Sequence, residues 1–191
     1  MTFLRKLWDF IWYDDSPLSW IVNIILALVL VKYIIYPVLG LLLGTTHPLV
    51  AVVSGSMEHD SMKFEEWWEE NKGWYESNNI QIEQFTSFPL KNGFNKGDIM
   101  ILWRPSNLQV GDIIVFRKQA SSDPPVIHRI VFIGSNYVQT KGDNVGMVQN
   151  FEENIPKSNI IGKTVLRIPF LGYIKIWFID LLVNPIIRIF K

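Results

Sequence analysis

Cysteine is absent from the 191 residues. Disulfides, thiolate nucleophiles and cysteine-ligated zinc are therefore excluded, although many exported domains also lack cysteine and nothing follows about compartment. Net charge is lacking too, because 18 lysines and arginines offset 18 aspartates and glutamates. A nucleic-acid binder needs a basic excess to neutralise phosphates, so no nucleic-acid partner is expected. Histidine is scarce, with only His47, His59 and His128. What the chain has in abundance is apolar surface: 49% hydrophobic residues, aromatics reaching 14%. That load exceeds what the core of a domain this small needs and points to membrane burial.

The apolar residues are concentrated. Residues 20–44 are almost uninterrupted, with Lys32 the only charge. As a helix, Trp20 to Leu43 would run ~36 Å, enough to span a hydrocarbon core of ~30 Å with some tilt. Pro37 would kink it. A cleaved signal peptide fits poorly, since the run starts late, is long and lacks a small-x-small exit. Residues 1–19 mix Arg5 and Lys6 with Trp8, Phe10, Trp12 and Tyr13, which suits an interfacial, cytoplasmic segment. The main domain is then expected outside, with the protein integral to the cell membrane. Residues 168–191 are apolar again, with Asp180, Asn184 and Arg188 on one helical face. They are expected to form an amphipathic or membrane-spanning C-terminal helix.

Between these segments, residues 45–167 read as a mainly β catalytic domain. Short β-branched or aromatic runs at 49–53, 99–103, 113–116, 126–133 and 137–140 are separated by turn residues, which suggests a barrel or sandwich. Gly97-Asp98 and Gly111-Asp112 introduce two of the runs and read as similar turns. Residues 58–94 differ. Eight acidic residues face two lysines between 58 and 83, interleaved with Trp67, Trp68 and Trp74. Here an acidic helical insertion is expected, its helix covering 62–76 with the aromatics packed on the domain.

Without cysteine, the candidates for covalent catalysis are serine, threonine and lysine. Serine needs a base, for which histidine is the common choice near neutral pH. His128 lies inside an apolar strand pattern, where a core histidine is the ordinary explanation, just as Ser54-Gly55-Ser56 is compatible with a plain turn. Hairpin counting adds a partner. If residues 134–136 form a three-residue loop, His128 faces Gly142, and Asp143 follows. That proposes a His128–Asp143 pair, provided the turn at Gly142 redirects a carboxylate that strict alternation sends to the other face.

Five segments then resemble, in order, the boxes of type I signal peptidases: Val53-Ser54-Gly55-Ser56-Met57, Lys96-Gly97-Asp98-Ile99, Val110 to Phe116, Pro125 to Ile130 and Thr140 to Asn144. The fourth carries histidine, as in archaeal and endoplasmic-reticulum members, where bacterial ones have lysine. The resemblance implies a serine endopeptidase with a signal-peptidase-like β fold. Ser56 would be the nucleophile, His128 the base, and Ser54 with the Ser56 backbone N–H the oxyanion donors. Asp143 is taken as the acid. Gln149 stands where these relatives carry a second aspartate, which leaves Gln149, Glu152 and Glu153 as alternatives. His59 replaces a usual proline. Val50, Val52, Ile99 and Ile101 are expected to wall the substrate site. No metal or other cofactor is implied. The partners implied are secretory preproteins cut after small-x-small motifs, the lipid bilayer and the export translocon. Two other readings are a protease of this fold dedicated to one substrate class and a non-catalytic preprotein-binding subunit.

Overall fold

The computed structural model describes residues 2–118 and 124–174. The chain divides into two units, Met1–Leu42 and Leu43–Lys191.

In the first unit, α1 (Phe3–Trp12) is followed by α2 (Pro17–Leu30). Ser16 caps α2, accepting the Ser19 N–H at 3.2 Å. Pro17 occupies the first turn, where its missing donor costs nothing. Two polar side chains interrupt the apolar face. Ser19 Oγ donates to the Phe10 carbonyl at 2.7 Å and Asn23 Nδ2 to that of Ile11 at 2.9 Å. They satisfy last-turn carbonyls of α1 that have no partner within their own helix. From α2 the chain passes through one π-helical stretch, Val31–Ile35, into α3 (Tyr36–Leu43). The Tyr36 N–H reaches back to Val31 there. Pro37 follows directly, and its missing N–H is a sufficient cause for the local loosening of the ladder. The run Pro17–Leu43 is 27 residues long and apolar enough to cross a membrane. It begins three residues before the expected start.

The second unit is mainly β. Its strands are β1 (Leu49–Ala51), β2 (Ile99–Trp103), β3 (Ile113–Phe116), β4 (Val126–Ile133), β5 (Tyr137–Lys141), β6 (Ile155–Pro156) and β7 (Ile160–Ile168). They form one antiparallel seven-stranded sheet in the order β1-β2-β7-β3-β4-β5-β6. Central β3 is buried along its whole length, as its unbroken Ile-Ile-Val-Phe run requires. β2 alternates instead, with Met100 and Leu102 inward. The two Gly-Asp turns are alike. Gly97 and Gly111 both take positive φ, and Asp98 and Asp112 each accept the backbone N–H three residues back, at 2.8 Å.

Two helices, α4 (Phe64–Ser77) and α5 (Ile82–Thr86), fall within residues 58–94. Glu65, Glu66, Glu69 and Glu70 face solvent, while Phe64, Trp67, Trp68 and Tyr75 are buried together with Phe85, Phe88 and Val131 of β4. The helices therefore pack on one face of β4. The C-terminal helix expected over 168–191 does not begin at Ile168, which ends β7. The rest of that expectation, residues 175–191, lies outside the described residues.

Candidate active site

His128 is the third residue of β4, paired with Ile114 of buried β3, so its backbone is fixed by the sheet. Ser56 lies on the loop that leaves β1. That loop is tied down where Val52 exchanges backbone hydrogen bonds with Asp98 and Gly97, both at 2.9 Å. Ser56 Oγ stands 2.9 Å from His128 Nε2. On the other side of the ring, Nδ1 is hydrogen-bonded to Glu152 Oε1. Glu152 is fully buried. It sits at the end of a 3-10 turn, Asn150–Glu152, and accepts two further bonds, from Thr140 Oγ1 and from the Gln149 N–H, each 3.0 Å long. With Glu152 accepting from its other two partners, His128 Nδ1 is placed to donate to the carboxylate, which leaves Nε2 free to accept the Ser56 hydroxyl proton.

Strand alternation explains which groups meet. In β4 and the end of β5, His128, Ile130, Thr140 and Gly142 share one face, and Arg129, Val131, Lys141 and Asp143 the other. The expected hairpin counting holds at Arg129↔Lys141 and Ile130↔Thr140 after a bulge at Val131 corrects a one-residue offset nearer the turn. Gly142 does pass against His128. A Cβ there would lie 3.0 Å from Nε2 and 2.7 Å from the Ser56 carbonyl oxygen. Asp143 is not redirected, so the expected His128–Asp143 pair does not form. Its carboxylate instead meets Arg129 Nε at 2.9 Å and Nη2 at 2.6 Å, Tyr75 Oη at 3.3 Å and His59 Nε2 at 3.2 Å.

This second cluster is wholly buried, and its electrostatics follow from its partners. Burial alone would raise the Asp143 carboxyl, but the Arg129 charge and the bonds from His59 and Arg129 hold it well below the usual carboxylate range. Burial pushes the Lys141 ammonium down to about 8, against the pull of Asp143 and Glu152. Lys141 Nζ also lies over the Tyr75 ring, 4.6 Å from its centroid.

No family model matches the chain. Among curated proteins it is similar to the signal peptidase complex catalytic subunit SEC11 of Plasmodium falciparum (isolate 3D7), 25% identical over 170 residues, covering 84% of this chain and 73% of the relative. The SEC11 subunit of Scheffersomyces stipitis is 26% identical, covering 75% and 73%. That of Saccharomyces cerevisiae (strain YJM789) is 27% identical, covering 76% and 74%. The chain is a homologue of the signal peptidase catalytic subunits. These three relatives are eukaryotic.

The other residues expected in this signal peptidase homologue distribute as follows. Ser54 is exposed, its Oγ 3.3 Å from Ser56 Oγ. Val50, Ile99 and Ile101 are half-buried on β1 and β2. Val52 is 1% exposed inside the core with Met57, Phe94 and Met100, which removes it from the substrate-facing set. Gln149 and Glu153 are exposed, and the Gln149 side chain bonds to the Met147 carbonyl instead. Among the described residues no His, Asp and Glu side chains gather in a group able to hold a metal ion.

Proposed function

We propose that this chain is a membrane-anchored serine endopeptidase that removes signal peptides from preproteins, with Ser56 as nucleophile, His128 as general base and acid, and Glu152 as the orienting carboxylate. The observation that carries the reading is the continuous Ser56–His128–Glu152 hydrogen-bond chain. Ser56 Oγ attacks the scissile carbonyl as its proton passes to His128 Nε2. Glu152 stabilises the imidazolium that results. His128 then returns the proton to the leaving amine, and water repeats the sequence on the acyl-enzyme. The Ser56 backbone N–H and the Ser54 hydroxyl serve as oxyanion donors, and losing one such donor costs about 3–4 kcal/mol of barrier.

Among the described residues β1 pairs only with β2 and ends the sheet order, so its outer edge accepts an extended peptide as an added strand. Val50, Ile99 and Ile101 line the approach, and small side chains at alternate substrate positions fit because strand side chains alternate. The helix Pro17–Leu43 anchors the protein in the bilayer, with the residues before Pro17 on the cytoplasmic side and the β domain outside, near the translocon that delivers preproteins. In the full chain, in detergent or liposomes, a reporter preprotein is expected to be cut after a small residue, and Ser56→Ala and His128→Ala are expected to abolish cutting. A folded Ser56→Ala variant that cuts like the parent would refute the mechanism.

A further inference from the structure

His59 lies three residues beyond Ser56, is 3% exposed, and faces away from the catalytic chain. Its ring stacks on Trp67 of α4, with centroids 3.8 Å apart and planes 5° from parallel. Gly93, at φ +66°, closes another side, since a Cβ there would come within 2.5 Å of His59 Cδ2 and 2.3 Å of the Met57 carbonyl oxygen. His59 Nε2 bonds to Asp143 Oδ2, and Asp143 is in turn fixed by Arg129, whose remaining N–H groups go to the carbonyls of Pro89, Leu90 and Gly111.

The same two segments meet at three further points. The Asn144 N–H donates to the Ser56 carbonyl at 2.9 Å, Asn144 Nδ2 to the Gly55 carbonyl at 3.3 Å, and the Asp143 N–H to Met57 Sδ at 3.3 Å. Residues 55–59 are thus laced to residues 143–144 along their length, and His59–Asp143 is the side-chain stitch at the far end. Arg129 stands beside His128 on the same strand. The strand that carries the base therefore also anchors, through Asp143 and His59, the loop that carries the nucleophile.

We propose that His59 is a positioning residue that sets the Ser56 Oγ to His128 Nε2 distance by latching the nucleophile loop to Asp143. The proposal rests on Ser56 being the nucleophile. Two variants separate latching from packing. His59→Phe keeps a flat ring against Trp67 and removes the nitrogen; His59→Gln removes the ring and keeps an N–H donor at similar reach. Misplacing reacting groups by about 1 Å can cost about 100-fold in rate. His59→Phe is accordingly expected to lower kcat about 10- to 100-fold at unchanged KM, with His59→Gln recovering most of that loss. Amide hydrogen exchange on the full chain in micelles supplies a readout that needs no activity. The Asn144 N–H, bonded to Ser56, is expected to exchange faster in His59→Phe than in the parent and His59→Gln. Parent-like kcat or parent-like Asn144 exchange in a folded His59→Phe protein overturns the latch. So does an equal kcat loss in both variants, which would leave His59 a packing residue. Should the parent itself not cut preproteins, the proposed function fails, and Asn144 exchange still decides whether the latch exists.

Discussion

Replacing Glu152 by glutamine is the most discriminating perturbation of the site, because it changes one charge and almost no volume. The carboxylate is fully buried and receives three donors: His128 Nδ1–H, the Thr140 hydroxyl and the Gln149 N–H. A glutamine cannot accept all three. With its carbonyl towards His128 and Thr140, its amide group confronts the Gln149 N–H, donor against donor. Flipped, it presents N–H to Nδ1, which drives the ring proton to Nε2 and removes the acceptor that Ser56 needs. Losing the charge-assisted contact to the imidazolium costs about 1.5–3 kcal/mol, and a buried donor left unsatisfied about 1–3 kcal/mol more. The sum, roughly 3–6 kcal/mol, corresponds to about 10²- to 10⁴-fold in kcat. The aspartate-to-asparagine change in a Ser-His-Asp triad costs about 10⁴-fold, at the top of that range. The assay is steady-state cleavage of a reporter preprotein by the full chain, with circular dichroism to check the fold. A folded Glu152→Gln protein with parental kcat would refute the assignment, and would do so most forcefully if Asp143→Asn were inactive while equally stable.

Asp143→Asn leaves the Arg129 guanidinium buried beside a neutral group. A stability loss of about 3–5 kcal/mol is expected in urea titration, since a broken buried pair leaves an uncompensated charge. The sign of the pH dependence follows from the depressed Asp143 carboxyl. Its stabilisation is complete above the unfolded value of about 3.9 and is lost as pH falls below it towards the native value, so the Asn variant should show a flatter acid limb. Lys141 behaves oppositely. With a native value of about 8, it binds fewer protons folded than unfolded, so its penalty of about 3 kcal/mol is full below that pH and fades as pH rises towards 10.4. Lys141→Met should therefore raise the melting temperature most at pH 7, with the advantage shrinking by pH 9.5. Gly142→Ala places a methyl group against His128 Nε2 and the Ser56 carbonyl. It should lower kcat far more than it changes KM, and a fully active variant would show that the imidazole has room to move.

The strands at 99–103, 113–116 and 126–133 were legible because each is a compact β-branched or aromatic run bounded by turn residues, and local chemistry alone sets such boundaries. α4 runs Phe64–Ser77, with Phe64 and Trp68 one turn apart on its buried side and glutamates between them facing solvent. β6 left no signal, being two residues long, too short for periodicity. Ser56 and His128 stood out through their boxes and are brought together. The expected acid was misplaced for a reason visible in the sequence itself. Period-two alternation sends Asp143 to the face of Arg129, and only an unobserved turn could have reversed that. Glu152 carried no comparable mark. It lies in a polar Asn-Phe-Glu-Glu-Asn stretch like many surface turns, and its burial is decided by Thr140 and His128, which are distant in sequence. Hydroxyl and imidazole on one sheet face, facing a turn nine residues after Asp143, was the only available hint.

The placement of Glu152 has a thermodynamic consequence. One of its carboxylate oxygens closes its own three-residue turn by accepting the Gln149 N–H, while the other aligns His128. Local folding and catalytic readiness are thus drawn from the same side chain. Opening of so short a segment needs only a fraction of the global unfolding free energy, and opening it breaks the Glu152 bond to His128. On the proposed mechanism, activity tracks the closing of residues 149–152, and substitutions at exposed Asn150 or Phe151, which touch neither Ser56 nor His128, are expected to change kcat by shifting that closing.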